Sequence, residues 1–159
     1  MLFRSIVLIH HAPGWDELYR EFTRRFAHHG YVAICPNLYF RDGHGTPEDV
    51  GARVRAAGGA DDALVIGDVD GAIRFLRAQA YTSGRVGLFG TCSGGRHGFL
   101  AGCRLTGIDA VVECWGGNIV AAPEDLAPRR PVAPIDLTKD LAAPLLGIFG
   151  NDDRSDRKS

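Results

Sequence analysis

The sequence lacks the features of a membrane or nucleic-acid-binding protein. No apolar run approaches the roughly 20 residues that span a bilayer, and the opening MLFRSIVLIHH has no small-residue cleavage site of a signal peptide. The formal net charge is −1, from 18 basic and 19 acidic residues without a basic cluster. We therefore expect neither a membrane nor a nucleic acid as partner.

The chain also lacks cysteine pairs. Its four cysteines are Cys35, Cys92, Cys103 and Cys114, and none forms a C-x-x-C pair. Isolated cysteines beside apolar segments are typical of a reduced, cytoplasmic chain and not of a disulfide framework. The histidines show no zinc-ligand spacing apart from two adjacent doublets. We predict no metal and no cofactor.

What the chain does contain is an alternation of apolar strands and amphipathic helices. Apolar runs predict five buried strands, at residues 4–11, 31–36, 85–90, 109–116 and 143–150. Apolar residues at helical spacing predict helices at residues 15–29, 64–80 and 94–105. Repeated β-α-β units of this kind form a parallel, doubly wound sheet with helices on both faces. The length predicts one domain, over residues 1–159.

Two polar segments interrupt the alternation. Residues 37–59 are rich in glycine, and we predict a loop there with at most one short helix. Residues 117–142 contain four prolines, and a connection of this length is usually a functional wall or lid.

Reactive side chains follow the predicted strands at their carboxyl ends, where open parallel sheets bind ligands. These residues are His10, His11, Asn37, Thr91, Cys92, Trp115 and Asn151 to Asp153. We expect the functional site at this edge, with Asn37 and Trp115 as pocket residues. For a tryptophan in this place, a position in the core is the alternative.

The stretch GLFGTCSGGRHG at residues 87–98 has the form of a nucleophile elbow. Such a nucleophile has a strained backbone between strand and helix, so its neighbours two positions away must be small. Cys92 meets this requirement with Gly90 and Gly94. The N–H groups of Ser93 and Ala12 are the candidate oxyanion donors. The alternative is a core thiol whose glycine neighbours only permit close packing.

Four segments in order resemble the dienelactone hydrolase family: IHHAPG, GYVAICPNLYFRDGHG, GTCSGG and GIFGNDD. The resemblance implies an α/β-hydrolase core with strand order 2-1-3-4-5. It also implies a Cys-His-Asp triad that acts on a small-molecule ester or lactone. In this triad Cys92 is the nucleophile and Asp153 the acid, with Ala12 at the second oxyanion position. His11 stands where the family carries a glutamate that interacts with the resting cysteine.

The triad histidine has no counterpart, because no histidine follows Asp153. His11 is the best substitute base, since it follows a strand that we expect beside the elbow strand; its alternative role is a polar residue of the crevice. The family's leading strands and its last strand and helices also have no match. We therefore expect a shortened domain, with exposed sheet edges at which a second copy could pair.

The sequence thus predicts a hydrolase that cleaves an ester or lactone through Cys92. Three other interpretations stay open: a catalytically impaired hydrolase without its base, a cysteine amidohydrolase of the glutamine-amidotransferase type, and a non-catalytic module that pairs through sheet edges. The segments IHHAPG and YVAICPNLYFRDGHG argue against the amidohydrolase. Glu113 lies within a strand that should be buried, so its carboxylate needs a partner.

Overall fold

The computed structural model describes residues 2–153, which contain a five-stranded parallel sheet. The strands are β1 Phe3–Ile9, β2 Val32–Ile34, β3 Thr82–Thr91, β4 Ala110–Cys114 and β5 Leu145–Ile148. Their order is β2-β1-β3-β4-β5, and each neighbouring pair is parallel. The predicted sheet and strand order are confirmed. The predicted domain 1–159 also includes residues 1 and 154–159, which lie outside the described residues.

Within residues 2–153, four α-helices lie on the two faces of the sheet. They are α1 Glu17–His28, α2 Pro47–Ala56, α3 Asp62–Arg77 and α4 Ser93–Arg104. The segment at residues 37–59, predicted to be a loop with at most one short helix, contains α2, which is ten residues long. Among residues 2–153, no helix has both the length and the apolar character needed to cross a membrane.

The strand β1 lies at the centre of two apolar layers. Val7 and Ile9 belong to the larger core, which includes residues of α3 and α4. Ile6 and Leu8 face the opposite side and cluster with Tyr19 of α1. Successive side chains of a strand point to opposite faces. Because β1 is buried on both faces, its sequence is a continuous apolar run.

The order of the strands places a crevice between β1 and β3. The chain leaves β1 toward β2 on one side, and it returns to β3 on the other. At such a switch point the loops after the two strands diverge, which opens a crevice at their carboxyl ends. The segment that follows β1 and the elbow that follows β3 both lie there.

A buried ion pair joins α3 and α4 to the long connection before β5. The guanidinium of Arg96 donates to both carboxylate oxygens of Asp62, at 2.6 and 3.0 Å, and to the Val132 carbonyl at 3.3 Å. His97 lies 3.3 Å from the same carboxylate and is buried. Burial acts to raise the pKa of Asp62, but His97 and Arg96 outweigh it and hold that pKa below its usual value.

The connection at residues 117–142 contains two 3-10 helical segments, Pro123–Asp125 and Pro134–Asp140. The second packs against α4, where Leu137 and Leu141 contact a cluster of Phe99, Cys103 and Ile119. The connection is therefore an ordered wall beside α4.

Candidate active site

Cys92 occupies the turn between β3 and α4 with a backbone of φ 53° and ψ −125°. A non-glycine residue in this region carries strain of the order of 1–3 kcal/mol, which persists only where the surroundings impose it. Here the Cys92 N–H donates to the Cys114 carbonyl at 2.9 Å, and α4 begins at the next residue. The Cys92 side chain is exposed at the crevice.

The small neighbours of Cys92 are required by close backbone approach. A Cβ atom at Gly90 would collide with the Gly94 carbonyl oxygen, and a Cβ at Gly94 would collide with the Ile9 carbonyl oxygen. The helix α4 therefore begins in direct contact with the ends of β3 and β1. This contact is the geometry that the glycine spacing predicts.

Two backbone N–H groups beside the elbow remain available to a ligand. The N–H of Ser93 is in the first turn of α4, where no helical acceptor exists. The N–H of Ala12 lies in the turn after β1. Within residues 2–153 neither group donates to a protein acceptor. Both are therefore free to hold a negatively charged oxygen.

The turn after β1 is held from several sides. The His11 carbonyl accepts hydrogen bonds from Nδ1 of His10 and from the Gly14 N–H, both at 3.0 Å. The Tyr39 hydroxyl donates to the Ala12 carbonyl at 3.4 Å. This turn is consequently fixed before any ligand arrives.

His10 is almost fully buried, with 1% of its surface exposed. Its Nε2 accepts the Leu38 N–H at 3.1 Å, and its ring meets the Tyr39 ring edge-on at 4.6 Å between centroids. Burial lowers the pKa of His10 to about 4, so the ring is neutral near pH 7.

His11 pairs with a carboxylate that the sequence analysis did not single out. Its Nε2 lies 2.6 Å from Oδ2 of Asp16, and the two side chains are 15% and 19% exposed. Burial acts to raise the pKa of Asp16, but the Tyr19 N–H and the His11 ring outweigh it and hold that pKa below its usual value. The sequence contains one sign of this pair, because Asp16 is a helix N-cap only five residues after His11.

His11 and Cys92 lie on the same edge of the sheet, because of the register between β1 and β3 and the contacts of the buried Tyr19. Ile9 of β1 pairs with Gly90 of β3, and His11 and Cys92 each lie two residues further along. The Tyr19 hydroxyl accepts the N–H of Thr91 and shares a hydrogen bond with its hydroxyl, both at 3.0 Å. The His11 ring lies 5.1 Å from the Tyr19 ring, centroid to centroid. No hydrogen bond within the described chain joins His11 to the thiol.

The other predicted site residues lie around this centre. Asn37 lines an open pocket of about 250 Å³ between the turns after β1 and β2, together with Trp15, Tyr39 and His44. Trp115 is not among its lining residues.

Two further residues follow β4 and β5. Trp115 has φ 41°, is 45% exposed, and donates its N–H to the Ile148 carbonyl at 2.7 Å. Asp153 is partly exposed, and its N–H donates to the Gly150 carbonyl at 3.1 Å in the turn after β5.

Glu113 has the partner that its buried strand position requires. Its side chain is 1% exposed, and its carboxylate accepts the Gly116 N–H. This bond closes the turn at residues 113–116. The same turn contains Cys114, whose carbonyl receives the Cys92 N–H.

The chain matches the sequence model of the Dienelactone hydrolase family over residues 3–159. It is 32% identical over 155 residues to a Methylorubrum extorquens protein named "Putative carboxymethylenebutenolidase", covering 96% of this chain and 52% of that protein. It is 36% identical over 105 residues to the carboxymethylenebutenolidase of Pseudomonas putida, covering 62% of this chain and 44% of that protein. The chain thus spans about half the length of these relatives.

A solved structure shares both sequence and fold with the chain. It is described as the crystal structure of a "Putative Dienelactone Hydrolase" from Klebsiella pneumoniae, with a TM-score of 0.84 and 28% identity. The match covers 97% of this chain and 63% of that one. The elbow, the parallel sheet and the sequence match agree, and the chain belongs to the dienelactone hydrolase family.

Proposed function

We propose that the chain is a hydrolase that cleaves an ester or lactone bond of a small molecule, with Cys92 as the nucleophile. The observation that carries this proposal is the strained elbow, which presents an exposed thiol beside two N–H groups that have no acceptor among residues 2–153. The carboxymethylenebutenolidases among its relatives support this class of reaction.

In the first half of the reaction the Cys92 sulfur attacks the carbonyl carbon. A C–S bond forms, and the carbonyl electron pair moves onto oxygen, which the Ser93 and Ala12 N–H groups stabilise. The intermediate collapses to a thioester and expels the alkoxide, which takes up a proton. With a lactone this alkoxide stays attached to the acyl chain as a hydroxyl group.

We propose His11 as the group that moves these protons. Since Nε2 bonds Asp16, the free position is Nδ1, which has no hydrogen-bond partner in the described chain. Nδ1 takes the thiol proton, returns it to the leaving alkoxide, and then takes a proton from the water that hydrolyses the thioester. The water oxygen bonds to the acyl carbon, the C–S bond breaks to release the acid, and Nδ1 returns its proton to the Cys92 thiolate. Asp16 orients the ring. Asp153, the acid that the family resemblance implies, stays a prediction.

The pocket beside Asn37 is the proposed space for part of the substrate. Tyr39 lines this pocket, and its hydroxyl donates to the Ala12 carbonyl in the turn after β1. A volume of about 250 Å³ suits a small acyl or alcohol group.

The test combines labelling and turnover. Iodoacetamide should modify Cys92 at neutral pH and leave Cys35 intact, because burial raises the pKa of the Cys35 thiol to about 12. Hydrolysis of a p-nitrophenyl ester should fall to the background rate in Cys92→Ala and persist in the control Cys35→Ala. His11→Ala should lose turnover with Cys92 still accessible to the label.

Two outcomes decide between this proposal and its rivals. A wild-type chain that is labelled at Cys92 but turns over no faster than Cys92→Ala is a catalytically impaired member of the family. A chain that neither turns over ester nor labels selectively at Cys92 supports the non-catalytic module.

A further inference from the structure

The peptide unit between His11 and Ala12 has an asymmetric set of partners. Its carbonyl oxygen accepts two hydrogen bonds, from His10 Nδ1 and from the Gly14 N–H, both at 3.0 Å. Its N–H belongs to Ala12 and has no acceptor within residues 2–153. Because a peptide unit is planar, a fixed carbonyl on one side also fixes the direction of the N–H on the other.

The tautomer of His10 follows from its contacts. The Leu38 N–H can only donate, so the Nε2 atom that receives it at 3.1 Å carries no proton. The single ring proton of the neutral imidazole is then on Nδ1, where it donates to the His11 carbonyl. His10 therefore connects the loop after β2 to the turn after β1 through one defined tautomer.

We propose that His10 is a positioning residue that orients and polarises the His11–Ala12 peptide, so that the Ala12 N–H is held ready for the oxyanion. This role rests on the proposed hydrolase function. His10 does not touch the substrate, because its ring is buried and both of its nitrogens are occupied.

The physical effect has two parts. A donor on the carbonyl oxygen draws electron density from the peptide and strengthens the N–H as a donor. The fixed plane also removes reorganisation when charge develops on the substrate oxygen, which is the main source of oxyanion stabilisation. Since Gly14 supplies the second bond, loss of the His10 bond should weaken the donor without freeing the peptide entirely.

Two substitutions separate the two hydrogen bonds of the ring. The amide nitrogen of His10→Asn reaches the place of Nδ1 and retains the bond to the His11 carbonyl. The amide of His10→Gln reaches the place of Nε2 and retains the bond to the Leu38 N–H. Each variant loses one of the two hydrogen bonds that the His10 ring makes. The two variants therefore differ in which hydrogen bond is lost and not in how many.

The readout is a comparison of two reactions of the same thiol. Acylation by a p-nitrophenyl ester forms an oxyanion, whereas alkylation by iodoacetamide does not. In His10→Gln we expect kcat for the ester to fall by about 10-fold to 100-fold with KM unchanged, since loss of a whole oxyanion donor costs about 10²–10³. Alkylation should stay within about twofold, and His10→Asn should retain kcat within about threefold. Equal losses in both variants, or parallel losses of acylation and alkylation, would overturn the role.

The NMR resonance of the Ala12 amide tests the positioning role without any measurement of turnover. The Ala12 amide resonance should shift in His10→Gln and stay near its wild-type position in His10→Asn. An Ala12 amide that is unmoved in His10→Gln contradicts the positioning even if the enzyme is active. If the amide shifts as expected but the wild-type chain forms no acyl-enzyme, the positioning stands and the hydrolase function is refuted.

Discussion

The imidazole of His11 and the carboxylate of Asp16 meet at 2.6 Å across the turn that follows β1. Asp16 is also the N-cap of α1, where its other oxygen accepts the Tyr19 N–H at 3.1 Å. The first turn of the helix thus fixes the carboxylate, and the carboxylate fixes the ring. Both partners come from one short segment of chain, so the pair forms without the region after β5.

The first prediction concerns Asp16→Asn. Asparagine caps a helix about as well as aspartate, so stability should change little, while the His11 ring loses its charged partner. We expect kcat for a p-nitrophenyl ester to fall by about 10²-fold. Asp153→Asn is the comparison: activity retained there, with the loss in Asp16→Asn, assigns the orienting acid to Asp16. The reverse result assigns the acid to Asp153.

The second prediction is a pH dependence caused by His10. Its folded-state pKa of about 4 lies below the model value of 6.5, so between these values the unfolded chain binds a proton that the folded chain does not. Stability should therefore fall as the pH is lowered from about 6.5 to 4, by about 3 kcal/mol from this group. Urea unfolding of the wild type and of His10→Asn checks this value. The lowered pKa of His97 acts in the same direction in both proteins, so their difference isolates His10.

The third prediction concerns the packing of the elbow. Gly90→Ala places a Cβ against the Gly94 carbonyl, and both are backbone positions that cannot move aside. We expect a loss of at least about 3 kcal/mol in the free energy of unfolding. Gly67→Ala in α3 is the control, because a Cβ there meets no atom within 4 Å, and it should stabilise by about 0.5–1 kcal/mol. Similar effects at both glycines would contradict the close approach.

The fourth prediction concerns the buried pair of Asp62 and Arg96. Asp62→Ala leaves the guanidinium buried, with the Val132 carbonyl as its one remaining acceptor among residues 2–153, and we expect a cost of about 3–5 kcal/mol. Asp70→Ala removes the exposed partner of Arg74 on the same helix and should change stability by less than about 1 kcal/mol. Thermal or urea unfolding of the two variants checks the difference. A small loss in Asp62→Ala would show that the guanidinium reaches water.

Sequence reasoning succeeds where one local requirement dominates. The spacing of Gly90 and Gly94 around Cys92 predicts the elbow because few other structures need small residues at both positions. The strand pattern predicts the sheet for a similar reason, since a strand buried on both faces admits little but apolar residues. Gly30 follows the C-cap of α1 with φ 86°, the left-handed conformation that favours glycine at a helix end.

The missed features depend on contacts between distant segments or on two roles for one residue. Asp16 reads as a helix cap, and its contact with His11 depends on how the turn between them closes. The hydrogen bond from Leu38 to His10 exists because β2 lies beside β1. The helix α2 has few apolar residues, although Thr46 and Pro47 are its start signals.

The contact between Tyr19 and Thr91 joins positions 72 residues apart in sequence, and it supports the turn after β1 against the elbow. This contact forms only when β3 has docked beside β1, which closes a loop that includes β2, α2 and α3. Closing so long a loop is slow compared with forming a helix. The Cys92 thiol should thus remain outside its native surroundings during most of folding. A refolding chain should gain helical structure well before it gains selective alkylation at Cys92.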